Sequence, residues 1–197
     1  MYPFSFGEMV NHRGLLEEKR LLLQVLAYRV GNLISYHELG QLCRTDSEPV
    51  EEYILLLEQC YVIFRLPSFN RNLRNERKQS KKIYFFDNDV RNTLIHDFRQ
   101  TESRTDTGVL WENFIIAERM KYNEYTYHWN HGWFWRAKEQ KNRLPGRKKR
   151  SVKCIGIQRK SCCKSPSPLA FAGTYPTAAF KVIHPDNREE FILGLPQ

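Results

Sequence analysis

The chain has 197 residues, 41% of them hydrophobic and 13% aromatic, a composition typical of folded domains rather than of disordered segments. No run of eighteen apolar residues occurs, so no membrane span is expected, and the N-terminus lacks the basic-then-apolar order of a signal peptide. The net charge of +9 is local, because residues 141–164 carry ten Lys or Arg and no acidic residue, leaving 21 basic against 22 acidic residues elsewhere. The charge therefore does not predict a nucleic-acid-binding surface over the whole fold.

Three helices are predicted first. Apolar residues recur at helical spacing over residues 15–30, and Gly31 supplies a C-terminal stop. Ser35 and Glu38 form a capping box, in which the serine accepts from the backbone and the glutamate reaches back. A third helix has Pro49 in its first turn and a buried stripe of Val50, Ile54, Leu57 and Tyr61. The tight turn between the second and third helices is typical of a helix-turn-helix.

Two strands follow at residues 61–66 and 82–86, rich in β-branched and aromatic residues and separated by a polar connection. Three helices and such a hairpin predict a winged helix. Asp87 then caps a short helix at 90–95, and residues 98–104 are predicted as a linker.

Residues 105–123 predict an amphipathic helix with Asp106 or Thr107 as its cap. Its apolar stripe is wide enough to predict burial over most of its surface: Val109, Leu110, Trp111, Phe114, Ile115, Ile116, Ala117 and Met120. Glu112 lies inside this run and has two interpretations. It faces solvent on a narrow strip with Asn113 and Arg119, or its carboxylate points into a site.

The character of the sequence changes after this helix. Residues 125–129 and 133–136 alternate like strands, whereas residues 141–168 show neither a strand nor a helix period, and we predict an aberrant, disordered stretch there. A strand at 179–183 and a helix at 188–193 follow. The five cysteines form no CxxC pair and predict reduced thiols in the cytoplasm; Cys154, Cys162, Cys163 and His184 fit no tetrahedral zinc spacing, so no metal is predicted.

Several motifs together resemble one family of bacterial and archaeal AAA+-type ATPases. The motifs are Tyr53-Ile54-x-x-Leu57-Glu58, Tyr61-Val62-Ile63-Phe64-Arg65-Leu66, Phe69-x-Arg71-Asn72-Leu73, Lys81-Lys82-Ile83-Tyr84-Phe85, Arg104-Thr105-Asp106 and Trp111-Glu112-Asn113-Phe114. The C-terminal part of that family holds a winged helix and an uncharacterised domain of the restriction-endonuclease-like fold. The resemblance covers residues 22–140 and resumes near residue 170.

The resemblance implies an α+β chain of three parts. Residues 1–21 are similar to the tail of the ATPase domain, 22–97 to the winged helix, and 98–197 to a degenerate, incomplete nuclease-like α/β domain. The family carries Glu-Ile-Asp and Glu-x-Lys strands where residues 141–168 stand here. We hypothesise that a compensated frameshift in the gene produced this stretch, and that the chain is a truncated, internally deleted member.

These departures decide the expected chemistry. No GxxxxGK[ST] loop precedes the winged helix, so no ATP site, cofactor or ATPase activity is expected. Glu112 is the remnant of the nuclease-like core, and one carboxylate cannot hold a hydrated Mg²⁺ ion alone. The chain is therefore expected to be a non-catalytic interaction or DNA-binding module. The alternative is a Mg²⁺-dependent nuclease of the restriction-endonuclease-like fold.

Two segments bear on DNA as a partner. The third helix carries Glu48, Glu51, Glu52 and Glu58 and no Lys or Arg, which favours a docking role over a place in the major groove. The hairpin connection is basic and is either a solvated tip or a phosphate contact: Arg71, Arg74, Arg77, Lys78, Lys81 and Lys82. A weaker possibility is electrostatic binding of nucleic acid by residues 141–164. Another chain of the ATPase family is the other candidate partner.

Overall fold

The computed structural model describes residues 16–67, 81–126, 153–157 and 179–193 and shows a chain of mixed helices and strands, in the α+β class. Its first elements are α1 (Leu16–Tyr28), β1 (Leu33–Ile34), α2 (Tyr36–Cys43) and α3 (Ser47–Gln59). They are followed by β2 (Ile63–Pro67), β3 (Lys81–Phe85), α4 (Asn88–Ile95), a 3-10 turn (Thr101–Ser103) and α5 (Thr107–Tyr125). The last are β4 (Lys153–Ile157), β5 (Ala179–Ile183), a second 3-10 turn (Pro185–Asn187) and α6 (Arg188–Ile192).

The strands β1, β3 and β2 form an antiparallel sheet in that order, which confirms the predicted hairpin. Pro67 pairs with Lys81 at the end of the hairpin next to the connection 68–80, and Ile63 pairs with Phe85 at the open end. Because β1 has only two residues, none of the described strands lies on the other side of β3 near Phe85. Gly31 occupies part of that edge, donating its N–H to the Ile83 carbonyl at 2.9 Å, and its φ of +73° favours glycine.

A hydrophobic core, which we call the first core, lies between the first three helices and the sheet. Leu26 of α1, Leu39 of α2, Ile54 of α3 and Phe85 of β3 are completely buried. The predicted stripe of the third helix is confirmed by Val50, Ile54 and Leu57, which are all buried. It is wrong at Tyr61, whose φ of 56° turns the chain out of the helix and leaves the ring 74% exposed.

Local hydrogen bonds place α2 and the turn that follows it. Ser35 Oγ accepts from the N–H of Glu38 at 3.4 Å, as the capping box predicts. The reciprocal half of that prediction is wrong, because the Glu38 carboxylate accepts from Arg29 Nη2 at 2.6 Å instead. A Cβ on Gly40 would lie 2.6 Å from the Thr45 carbonyl oxygen, so the close approach of α2 to the next turn requires glycine.

An ionic cluster packs α4 against the start of α5. Buried Arg91 donates from Nη1 to Asp106 Oδ2 at 2.5 Å and from Nε to the Ala27 carbonyl at 2.9 Å, which also joins α1. Arg104 donates from Nε to Asp106 Oδ1 at 2.8 Å. Two predictions are therefore corrected. The Asp106 side chain does not cap α5, and residues 98–104 are not a plain linker, because Arg104 is buried in the cluster.

Asn113 joins α5 to the sheet. Its Oδ1 accepts from the N–H of Phe85 at 2.8 Å, and its Nδ2 donates to the Phe85 carbonyl at 2.9 Å and to Asn88 Oδ1 at 2.9 Å. The side chain is only 1% exposed. The prediction that Asn113 lies with Glu112 on a solvent-facing strip is therefore wrong.

Helix α5 buries one face and not most of its surface, which corrects the second prediction for it. Ile115 and Ala117 are buried, whereas Phe114 is 38% exposed and Val109 is 37% exposed. The helix continues to Tyr125, so a strand does not begin there, and residues 127–136 lie outside the described part of the chain. Further along, Arg119 donates from Nη1 to the Phe191 carbonyl of α6 at 2.6 Å.

Strands β4 and β5 form a parallel pair, with Lys153 opposite Ala179 and Ile157 opposite Ile183. The predicted strand at 179–183 and the terminal helix are confirmed. The prediction of a disordered 141–168 is wrong for Lys153–Ile157, and the rest of that stretch lies outside the described residues. The prediction was dominated by charge, whereas Ile155 and Ile157 supply the β-branched alternation that a five-residue strand needs.

Within the described ranges, no helix combines the length and the apolar character needed to cross a membrane. The predicted boundary between residues 97 and 98 is crossed by contacts, since Asp106, just before α5, binds Arg91 of α4, and Asn113 of α5 binds Phe85 of β3. Arg119 on the same helix binds α6. Helix α5 therefore connects the first core to the C-terminal elements.

We predict that Asn113→Ala lowers the free energy of unfolding by about 3 kcal/mol, because two buried backbone groups of Phe85 lose their partner. Urea denaturation followed by circular dichroism measures this change. Asn123→Ala is the matched control, since it lies on the same helix and its carboxamide oxygen has no hydrogen-bond partner. Equal losses for the two variants would contradict the role given to Asn113.

A second prediction concerns acid stability. Hydrogen bonds from Arg104, and then from Arg91, hold the pKa of Asp106 below its usual range, although partial burial opposes them. A lowered pKa in the folded state stabilises the fold above the usual Asp pKa of about 4, and this contribution is lost as the pH falls below that value. Asp106→Asn should therefore cost about 2 kcal/mol at neutral pH and progressively less below pH 4. Urea titrations of both proteins at pH 7 and pH 3 test this; a gap that stays constant would contradict it.

Candidate interaction surface

The direction of α3 in the fold determines which of its residues reach solvent. Val50, Tyr53, Ile54 and Leu57 face the core. The residues on the opposite side and its flanks are all exposed: Glu48, Glu51, Glu52, Leu55, Leu56 and Gln59. We call this set the outer face of α3. It combines three carboxylates with two leucines.

A clamp fixes α3 against the edge strand β2. Glu58 Oε1 accepts from the backbone N–H of Arg65 at 2.9 Å and from its Nε at 2.7 Å, and Glu58 Oε2 accepts from Arg65 Nη2. Arg65 Nη1 also donates to the Tyr36 hydroxyl at 2.6 Å, which brings in α2. Burial lowers the pKa of Arg65, but the bonds to Glu58 and Tyr36 outweigh it, so the net direction is upward.

The clamp corrects one part of the sequence prediction. Glu58 was expected among the acidic residues facing a partner, but its carboxylate is held by Arg65 inside the fold. The acidic character of the outer face therefore comes from Glu48, Glu51 and Glu52. Helix α3 itself contains no Lys or Arg.

Two of the predicted hairpin cations lie in the described structure, as the first two residues of β3. Lys81 Nζ is 6.0 Å from the centroid of the Tyr36 ring, and Lys82 Nζ is 3.5 Å from Glu112 Oε1. Both lysines are half-buried. The other predicted cations lie outside the described residues: Arg71, Arg74, Arg77 and Lys78.

Glu112 binds residues of the first core. Its Oε1 accepts from the Tyr84 hydroxyl at 2.6 Å, in addition to the ion pair with Lys82. Burial, and then the nearby Glu112 carboxylate, raise the pKa of Tyr84 well above its usual value. Both interpretations of Glu112 are therefore replaced by a third: its carboxylate ties α5 to β3.

The described residues offer little to a metal ion. None of their His, Cys, Asp and Glu side chains form a group of three or more that could hold one. The sequences of β4 and β5 contain no carboxylate. His184 Nδ1 lies 3.4 Å from Asp186 Oδ2, whereas Cys162 and Cys163 are outside the described ranges.

Tyr53 is a residue that sequence reasoning missed. It is only 8% exposed, and its buried hydroxyl has no hydrogen-bond partner. Lys19 Nζ lies 6.0 Å from the centroid of its ring, across from α1. Burial, and then the proximity of Cys60, raise the pKa of Tyr53 to about 12. Buried hydroxyls are usually paired, so this one requires an explanation.

The comparisons with known proteins give one family match. Residues 8–102 match a family model described as Domain of unknown function (DUF8612). The matched segment includes the three-helix core, the hairpin and the ionic residues of α4, and it ends before α5. No curated protein and no solved structure matches the chain.

We predict that Tyr53→Phe raises the free energy of unfolding by about 1 kcal/mol, because it removes a buried hydroxyl that pays desolvation without a hydrogen bond. Urea denaturation measures the change. Tyr84→Phe is the matched control, since the Tyr84 hydroxyl donates to Glu112 and its removal should destabilise the fold. A destabilised Tyr53→Phe variant would mean that the hydroxyl has a partner in solution.

Proposed function

We propose that this chain is a non-catalytic interaction module of the winged-helix type, joined to a degenerate domain of the restriction-endonuclease-like fold. The order of α1, β1, α2, α3 and the β2–β3 hairpin supports the winged-helix part, as does the central place of β3 in the sheet. The ATPase-like sequence motifs support a partner among chains of that ATPase family. The free thiols of Cys43 and Cys60 fit a reducing compartment such as the cytoplasm.

The observation that carries the proposal is the charge of the outer face of α3. In a helix-turn-helix that reads DNA, the second helix of the motif enters the major groove between two rows of phosphates. In the proposed winged helix that position would belong to α3, which carries Glu48, Glu51 and Glu52 and no Lys or Arg. A carboxylate 4 Å from a phosphate costs about 1 kcal/mol even at the dielectric constant of water. This helix is therefore suited to a protein partner and not to DNA.

The hairpin supports a second, separate contact with duplex DNA. Pro67 and Lys81 are paired, so the connection that carries Arg71, Arg74, Arg77 and Lys78 leaves the sheet at one end of the hairpin. Lys81 and Lys82 lie at the same end. Cations grouped in this way bind phosphates without reading the base sequence.

The nuclease alternative has less support. Cleavage of phosphodiesters by Mg²⁺ needs several oxygen ligands around one ion. Strands β4 and β5 contribute none in their sequences, and the Glu112 carboxylate already accepts from Tyr84. We propose that the C-terminal elements act as a structural partner of the first core through α5.

The proposal is tested by measuring duplex DNA binding of the full chain and two variants by fluorescence anisotropy at 0.15 M salt. In the first variant Glu48, Glu51 and Glu52 are changed to Gln; in the second Arg71, Arg74 and Arg77 are changed to Ala. We expect the first to change DNA affinity by less than about threefold, because charges beyond about 8 Å are screened. We expect the second to weaken binding at every sequence and to flatten its salt dependence.

A gain of more than about tenfold for the glutamine variant would place α3 against the phosphates and contradict the proposal. Mg²⁺-dependent cleavage of the DNA, abolished by Glu112→Gln, would favour the nuclease alternative instead.

A further inference from the structure

The outer face of α3 has an apolar part that the fold does not use. Leu55 is 47% exposed and Leu56 is 37% exposed, and the Tyr61 ring just after the helix is 74% exposed. The core stripe of α3 is complete without them, since Ile54 and Leu57 are buried. Adjacent leucines on a charged helix are therefore available for contact with another molecule.

A second observation comes from the flank of the same helix. Pro49, Tyr53, Leu56 and Cys60 follow each other at helical spacing, which places them on one stripe. Three of them are exposed, and the fourth is the buried Tyr53 with its unpartnered hydroxyl. On the side towards α1, Lys19 Nζ lies 6.0 Å from the centroid of the Tyr53 ring. The Tyr53 hydroxyl is therefore a hydrogen-bond donor on this stripe that the fold leaves unused.

From these two observations, we infer that α3 docks a basic amphipathic peptide segment of a protein partner. Lys or Arg side chains of that segment pair with Glu48 and Glu51, its apolar side chains cover Leu55 and Leu56, and a polar group accepts from Tyr53. This inference rests on the proposed function and deepens it, because it states the chemistry of the partner.

Charge complementarity selects this occupant over the others. Anionic lipid surfaces and nucleic acids carry the same sign as the outer face and are repelled by it. A second copy of the same face brings acid against acid and is excluded for the same reason. A purely apolar partner would leave the carboxylates desolvated and unpaired. The small size of the patch predicts affinities in the micromolar range.

The test measures binding of three synthetic 16-residue peptides to the full chain by fluorescence anisotropy. The first has lysines on one side of a helix and leucines on the other, the second scrambles the same residues, and the third replaces every Lys with Glu. We expect the first to bind at about 10 µM at low salt and to weaken at high salt. We expect the other two to bind at least about tenfold more weakly.

The variants locate the binding. Glu48→Gln with Glu51→Gln, and Leu55→Ser with Leu56→Ser, should each weaken binding of the first peptide by about fivefold or more. Tyr53→Phe should weaken it by about threefold while leaving the fold intact. Glu102→Gln with Glu124→Gln is the control, because it removes two exposed carboxylates outside α3 and should leave the affinity unchanged. Circular dichroism checks that each variant is folded.

Three results would overturn the inference: no binding of the first peptide, equal binding of the scrambled peptide, or equal effects of the control pair and the α3 pair. Failure of the proposed function is recognised separately, by a large gain in DNA affinity when the α3 carboxylates are neutralised. If no peptide binds and the DNA affinity of the glutamine variant changes by less than about threefold, this inference is wrong and the proposed function stands.

Discussion

The carboxamide of Asn113 hydrogen-bonds the backbone of β3 at Phe85, where the short strand β1 does not reach. A two-residue strand pairs with only the first part of β3, and the N–H and C=O of Phe85 face a gap in the sheet. Buried backbone groups without partners are costly, so the gap has to be filled. Asn113 offers one acceptor and one donor with the spacing of a neighbouring peptide unit, and it binds both groups. A single side chain of a helix thereby takes the place of a strand.

This pairing fixes the other contacts of α5. Once Asn113 is held at Phe85, its neighbour Glu112 lies beside Tyr84 and Lys82, and Leu110 lies where its carbonyl accepts from Asn88 Nδ2 at 3.1 Å. Four residues before Leu110, Asp106 accepts hydrogen bonds from the guanidinium groups of Arg91 in α4 and of Arg104. The first half of α5 is thus part of the first core, although sequence similarity to the unknown-function family stops at residue 102.

Local sequence signals were sufficient for the helices and the hairpin of the first core, whereas the two-residue strand β1 was not predicted. Helical spacing, the Ser35 cap and the β-branched strands each depend on residues close in sequence, and all three are confirmed. Local signals could not assign the roles of Asn113 and Glu58, because their hydrogen-bond partners are brought to them by tertiary packing. The same is true of Tyr53, whose hydroxyl is buried by tertiary packing without a hydrogen-bond partner. For Glu58 a weak signal existed, since Arg65 follows seven residues later in the predicted strand at 61–66. The strand at Lys153–Ile157 was missed because charge counted over 28 residues obscured a five-residue alternation.

The outer face of α3 is acidic, whereas the end of the β2–β3 hairpin next to the connection 68–80 is basic. One molecule can carry both surfaces. The clamp between Glu58 and Arg65 removes one acidic residue from the surface and fixes the orientation in which the other three face solvent. Their repulsion of phosphates is effective only within about 8 Å at physiological salt. A DNA backbone held at the basic end of the hairpin is compatible with an acidic α3 if it stays beyond that distance. The charge of α3 therefore limits how DNA could approach, and it is the reason for proposing a partner of positive charge for this helix.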